Sequence, residues 1–75
     1  MRRAGVATAV AQGVTILESE GANPPGLGKN VVDDSLETVG TVVDVIGPVA
    51  HPYIVVSPAG DRNPAALLGE TLYLR

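Results

Sequence analysis

Apolar and polar residues alternate along most of this chain, and the alternating runs are interrupted by short stretches rich in Gly, Pro, Asp and Asn. A period of two is typical of strands, and such interruptions are typical of turns. The pattern predicts strands over residues 4–11, 14–18, 31–32, 39–46, 53–56 and 71–74. A two-residue turn at Gln12 and Gly13 joins the first two as a hairpin, whereas residues 19–30 form a long loop.

One segment near the carboxyl end predicts helix instead. Asn63 is suited to an N-cap, Pro64 to the first helical position and Gly69 to the position just past the end. Six short strands punctuated by turns, with one helical turn, favour a closed sheet. The sequence therefore predicts an all-β fold, a small six-stranded β-barrel with one short helical turn, as a single domain over residues 1–75.

The segment from Val39 to Ser57 is the most apolar part of the chain, with two Val- and Ile-rich runs on either side of a proline elbow at residues 47–52. Strict alternation places four residues of the first run on the core face: Val39, Thr41, Val43 and Val45. The same alternation places three on the outer face: Val42, Asp44 and Ile46. Because both faces carry aliphatic residues, we expect another molecule to cover the outer one.

Composition narrows the functional classes. The chain has 75 residues, 45% of them hydrophobic, with no Cys, Phe or Trp and a net charge of −3. A core must therefore be built from Val, Leu, Ile and Ala, without disulfides or thiolate metal sites. Nothing resembles a signal peptide or a membrane span, so we expect a cytoplasmic protein without membrane contact. The acidic balance argues against a polyanion binder.

Motifs for chemistry are incomplete. Gly26 to Asn30 superficially resembles a phosphate-binding loop, but the required first Gly and the Ser or Thr after Lys29 are missing. His51 is the single histidine and has neither a second metal ligand nor a nucleophile to serve. Asp44, alone in an apolar strand, suits a structural or interface role better than catalysis. We expect no catalytic residue, cofactor or metal site, and hence no enzyme.

The central segment carries a family resemblance. The run Val39-Gly-Thr-Val-Val-Asp-Val-Ile-Gly-Pro-Val49, followed by Pro52-Tyr53, resembles the signature of the glycine/arginine-rich type core protein of box H/ACA ribonucleoprotein particles. The flanks agree, with Pro-Pro-x-Leu-Gly at residues 24–28 and Leu-Gly-Glu-Thr-Leu-Tyr at residues 68–73. Two departures are Ile46 where the family commonly has Phe, and the lack of the Gly/Arg-rich tails of eukaryotic members. The chain is similar to the short archaeal form.

The resemblance implies a non-catalytic subunit of an RNA-guided pseudouridylation complex. Such subunits dock on the catalytic domain of the pseudouridine synthase and assist substrate loading and product release in rRNA modification and ribosome biogenesis. They meet the guide RNA indirectly, through the complex. Combined with strand alternation, the resemblance predicts a docking patch made of Val42, Ile46, Gly47, Pro48, Val49, Pro52 and Tyr53, on a protein that is monomeric alone.

Two other classes remain open. A small β-barrel could bind RNA directly, as ribosome-maturation or translation-factor domains do, but net negative charge, scattered basic residues and only two tyrosines argue against it. A small enzyme would need at least two convergent titratable groups, and none are evident.

Overall fold

The computed structural model describes residues 2–19, 25–48, 50–60 and 63–75, and most of them lie in six strands. The strands are β1 (Arg2–Ala11), β2 (Val14–Ser19), β3 (Asn30–Val32), β4 (Thr38–Ile46), β5 (Tyr53–Pro58) and β6 (Thr71–Leu74). Every neighbouring pair is antiparallel, and the sheet closes on itself in the order β1-β2-β5-β4-β3-β6. The predicted six-stranded barrel is confirmed.

The β1–β2 hairpin forms where the sequence predicted it. Ala11 pairs with Val14, which leaves Gln12 and Gly13 as a two-residue turn with φ of 50° and 82°. Two consecutive residues with positive φ are typical of the turn whose twist matches that of paired strands.

The predicted helical turn is confirmed as a short 3-10 helix, Pro64–Leu67. Asn63 caps it as predicted, because its Oδ1 accepts the Ala65 N–H at 3.0 Å. The helix is tied to the barrel by the buried Thr15, whose hydroxyl donates to the Pro64 carbonyl at 3.2 Å. Leu67 is buried among the core residues, so the helix is packed against the barrel.

Aliphatic side chains fill the barrel, as the composition predicted. The core cluster consists of Ala4, Ala7, Leu17, Val31, Val39, Val42, Ile54, Val56, Leu67, Leu72 and Leu74. Both chain ends contribute, since β1 pairs with β6 and β6 pairs with β3. The core therefore depends on contacts between residues far apart in the sequence.

A β-bulge in β4 makes part of the predicted face assignment wrong. Val42 pairs with Val56, but the next partner of β5, Val55, pairs with Asp44, so Val43 is an extra residue in β4. An extra residue shifts the alternation by one position. As a result Val42 is in the core at 1% exposure, whereas Val43 is 47% exposed.

Four other residues of β4 lie as predicted, whereas Thr41, predicted on the core face, lies next to the inward-facing Val42 and pairs with Ser57 on the outer face. Val39 is fully buried, and Val45 packs against the core. Asp44 and Ile46 are exposed on the outer wall. The bulge thus exchanges the positions of Val42 and Val43. The end of β4 after the bulge, residues 44–46, keeps the predicted orientation.

None of the helical residues that the structure describes forms a segment long and apolar enough to cross a membrane.

Candidate docking surface

Two large apolar side chains lie opposite each other on the outer wall of the barrel. Ile46, at the end of β4, pairs with Tyr53, at the start of β5, and they are 45% and 38% exposed. Residues directly opposite in an antiparallel pair project from the same face, with Cβ atoms about 4.5–5.5 Å apart. Ile46 and Tyr53 therefore form one apolar surface.

The surface continues across β5 into β2. Val55 pairs with Ile16 on one side and with Asp44 on the other, and the two aliphatic side chains are half-buried. Val43, beside Asp44, is the third strongly exposed apolar side chain of this surface, after Ile46 and Tyr53. We call this set, made of Ile16, Val43, Ile46, Tyr53 and Val55, the outer apolar patch.

Asp44 lies within the patch, and its carboxylate is already engaged. Its Oδ1 accepts the N–H of Val45 at 2.8 Å. A carboxylate that accepts a backbone N–H satisfies a donor of the strand and needs no cationic partner to stay in place. This contact supports the structural role that the sequence predicted for Asp44.

The elbow after β4 has a conformation that only glycine adopts easily. Gly47 has φ of 90°, and a Cβ at this position would lie 2.9 Å from Cδ2 of Tyr53. The Tyr53 ring therefore rests directly against the Gly47 backbone. The next turn is closed by the His51 N–H, which donates to the Pro48 carbonyl at 3.2 Å. The close packing holds Tyr53 against Gly47, and the hydrogen bond holds His51 near Pro48.

Four of the seven predicted docking residues come together at this surface: Ile46, Gly47, Pro48 and Tyr53 are all exposed. Two are corrected. Val42 is a core residue because of the bulge, and Pro52 is buried just before β5, where its carbonyl accepts the Ser19 N–H at 3.2 Å. The seventh, Val49, lies outside the described residues.

Sequence reasoning missed three members of the patch: Ile16, Val43 and Val55. The apolar residues of β2 alternate as Val14 and Ile16 against Thr15 and Leu17, and both sets are compatible with a core. The structure places Thr15 and Leu17 inside, leaving Ile16 on the wall. Pairing of β2 with β5 then brings Ile16 beside Val55, a neighbourhood that alternation within one strand does not indicate.

The exposed apolar area of the patch is suited to burial against another molecule. Across the described residues, no three His, Asp or Glu side chains group as a metal site would require. His51 is exposed, and the interaction that the structure gives it is through its backbone. The surface presents aliphatic and aromatic area, with Asp44 within it and Glu18, the pairing partner of Tyr53, at its border.

No protein-family model matches the chain, and no curated protein matches it either. The sequence motif and the geometry of the outer apolar patch are therefore the observations on which a function can be proposed.

Proposed function

We propose that this protein is a non-catalytic subunit of an H/ACA RNA-guided pseudouridylation complex, which docks on the pseudouridine synthase through the outer apolar patch. The observation that carries the proposal is the place of the motif in the fold. The run from Val39 to Tyr53, which resembles the family signature, forms the β4–β5 hairpin whose outer wall carries Ile46 and Tyr53.

Docking by this patch has a physical driving force. Ile46 and Tyr53 retain roughly half of their possible exposure, so covering them would contribute about 1 kcal/mol each from apolar area alone. The half-buried Ile16 and Val55 would add smaller amounts. Tyrosine also supplies a rigid ring with a polar end, which is why it is common among residues that dominate interface energies.

Restraint of Gly47 and Pro48 should improve the affinity, because less conformational entropy is lost on binding. Pro48 has a restricted φ, and the hydrogen bond from His51 closes the turn around it. Ordering a mobile loop at an interface costs binding free energy, and a loop already ordered avoids much of that cost. The Gly-Pro pair of the motif therefore serves as a preformed edge of the docking surface.

The proposed role is to assist turnover by the synthase in the cytoplasm, during rRNA modification. The subunit supplies no catalytic group, so its effect should be on steps other than the chemistry. Contact with a mobile loop of the synthase would bias opening and closing of the site, and such steps limit the turnover of many enzymes. We therefore propose assistance in substrate loading and product release, with guide RNA reached through the complex.

Co-expression with an archaeal H/ACA pseudouridine synthase tests docking. A tagged chain should retain the synthase on an affinity column, and Ile46→Asp should abolish retention, since a charge buried without a partner costs several kcal/mol, or at least about 100-fold in affinity. Leu36→Asp is the matched control. Leu36 is 55% exposed at the other end of the barrel and has φ of 68°, which Asp tolerates.

Retention by both variants would contradict the patch, and no retention by the unaltered chain would contradict the partner. A turnover assay then separates docking from assistance. Adding the subunit should raise multiple-turnover pseudouridylation more than the single-turnover rate. An equal rise in both would mean that the subunit acts on the chemical step.

A further inference from the structure

Two carboxylates share the outer wall with the outer apolar patch. Pairing across β4, β5 and β2 arranges this wall in two rows, each with two apolar residues and one carboxylate: Ile46, Tyr53 and Glu18 in one row, and Asp44, Val55 and Ile16 in the next. Asp44 and Glu18 are both exposed, and they lie at diagonally opposite corners of the two rows. Two strand spacings and two residues along a strand separate their Cα atoms by about 12 Å. A single cationic group cannot pair with both.

Asp44 and Glu18 are the only charged residues of β2, β4 and β5. Two cations border this wall. Lys29 lies beside β4, because its carbonyl accepts the Val42 N–H at 3.0 Å, and Arg3 lies on β1, the strand next to β2. Arg3 takes part in an interaction within the chain, but in the described part of the chain neither cation forms an ion pair with the two carboxylates. The wall that carries the patch is therefore negatively charged.

Asp44 determines what kind of partner the patch accepts. Its Oδ1 accepts the Val45 N–H at 2.8 Å, and no described residue donates to its Oδ2. Because Val43 and Val55 adjoin Asp44, a molecule that covers these valines also removes water from the carboxylate. A charge buried without a partner opposes binding. The covering molecule must therefore bring a cation to Oδ2.

We propose that the partner face that covers the patch is apolar at its centre and carries two arginines, one opposite Asp44 and one opposite Glu18. Arginine suits this place better than lysine, because its guanidinium is more weakly hydrated and matches a carboxylate in shape. A second copy of the chain does not fit, since the same three strands of the copy would bring further carboxylates and no cation. The inference rests on the proposed function and gives the docking face of the synthase its chemistry.

Substitutions that remove one charge test the proposal, with the archaeal synthase immobilised and binding followed by surface plasmon resonance. Asp44→Asn keeps an acceptor for the Val45 N–H and should raise the dissociation rate constant about 30-fold, because an arginine of the partner is left buried and unpaired. Glu18→Gln, at the border, should mainly lower the association rate constant, about threefold at low salt.

Asp34→Asn is the matched control. It makes the same change in net charge at an exposed position in the loop between β3 and β4, and both rate constants should stay nearly unchanged because salt screens a charge far from the interface. Thermal melts should be the same for all variants and the unaltered chain, which excludes unfolding as the cause of a loss.

Docking on a wholly apolar face would give the opposite result. Asp44→Asn would then bind the synthase as tightly as the unaltered chain or more tightly, because less charge is desolvated, and this outcome would overturn the proposal while docking stands. Self-association of the unaltered chain that Ile46→Asp weakens, measured by sedimentation equilibrium, would make a second copy the occupant and overturn it as well. No binding by the unaltered chain would contradict docking itself, so the two failures are distinguishable.

Discussion

Two adjacent valines in β4 should respond in opposite ways to the same substitution. Val42 is 1% exposed and Val43 is 47% exposed, although they are the same residue type at neighbouring positions. Val42 also has both backbone groups paired, its N–H with the Lys29 carbonyl at 3.0 Å and its carbonyl with the Gly28 N–H at 2.7 Å. Simple alternation would put Val43 in the core, so the pair tests the bulge directly.

The expected difference is large for a chain of this size. Val42→Ala removes buried methyl groups and leaves a cavity, which should lower the free energy of unfolding by about 2–3 kcal/mol. Val43→Ala removes mostly hydrated atoms and should change it by no more than about 0.5 kcal/mol. In a small domain, 1 kcal/mol corresponds to about 4–8 °C in Tm. We expect Tm to fall by about 10–20 °C for Val42→Ala and by no more than about 4 °C for Val43→Ala.

Thermal melts followed by circular dichroism measure both values, and urea titration checks that the slope m is unchanged. The aspartate variants should differ even more. Val42→Asp buries an unpaired charge, at a free-energy cost that exceeds the free energy of unfolding of a small domain, whereas Val43→Asp should leave the chain folded. Equal losses for Val42→Ala and Val43→Ala would refute the bulge. A larger loss at Val43 would restore the face assignment that alternation predicts.

Three further outcomes follow from the structure. Asn63→Ala should lower stability by about 1 kcal/mol in urea unfolding, because the Ala65 N–H loses its acceptor, and Asn63→Asp should restore it. Gly47→Ala should destabilise more than Gly28→Ala, since the two share φ near 90° but only Gly47 has the Tyr53 ring within reach; near-ultraviolet circular dichroism should report the displaced ring. The isolated chain should bind guide RNA no more tightly than about 10⁻⁴ to 10⁻⁶ M at physiological salt, and a tight, salt-resistant complex in a gel-shift assay would contradict this.

Local signals predicted the elements of this fold well. The two-residue turn at Gln12, the cap at Asn63 and the alternation within each strand depend on neighbours in the chain, so the sequence contains the information directly. Strand ends differ from the predicted ones by one or two residues, as at β5, which extends to Pro58. Closure of the sheet was predicted as well. A small chain with six short strands has few other ways to avoid exposed strand edges.

The bulge could not be located in the same way. Either Val42 or Val43 can fill a core position equally well, and nothing in their side chains indicates which is the extra residue. The choice is made by β5, since Val55 must pair with Asp44 for Ile46 to lie opposite Tyr53. The register depends on both strands of a pair, so the position of the bulge cannot be predicted from the sequence of β4 alone. The error at Val42 and the omission of Val43 therefore have one cause.

The outer apolar patch has a cause in the width of the barrel. Eight strands give an interior just wide enough for side chains to fill, and six give less. Small residues of β1, Ala4 and Ala7, are accordingly inside, whereas the larger Val10 of the same strand is 36% exposed. With 45% hydrophobic residues, the chain has more aliphatic side chains than the interior can accept. The remaining aliphatic side chains must lie on the outer wall, and across β2, β5 and β4 they form the outer apolar patch. A partner that covers this wall would bury side chains for which the narrow interior has no room.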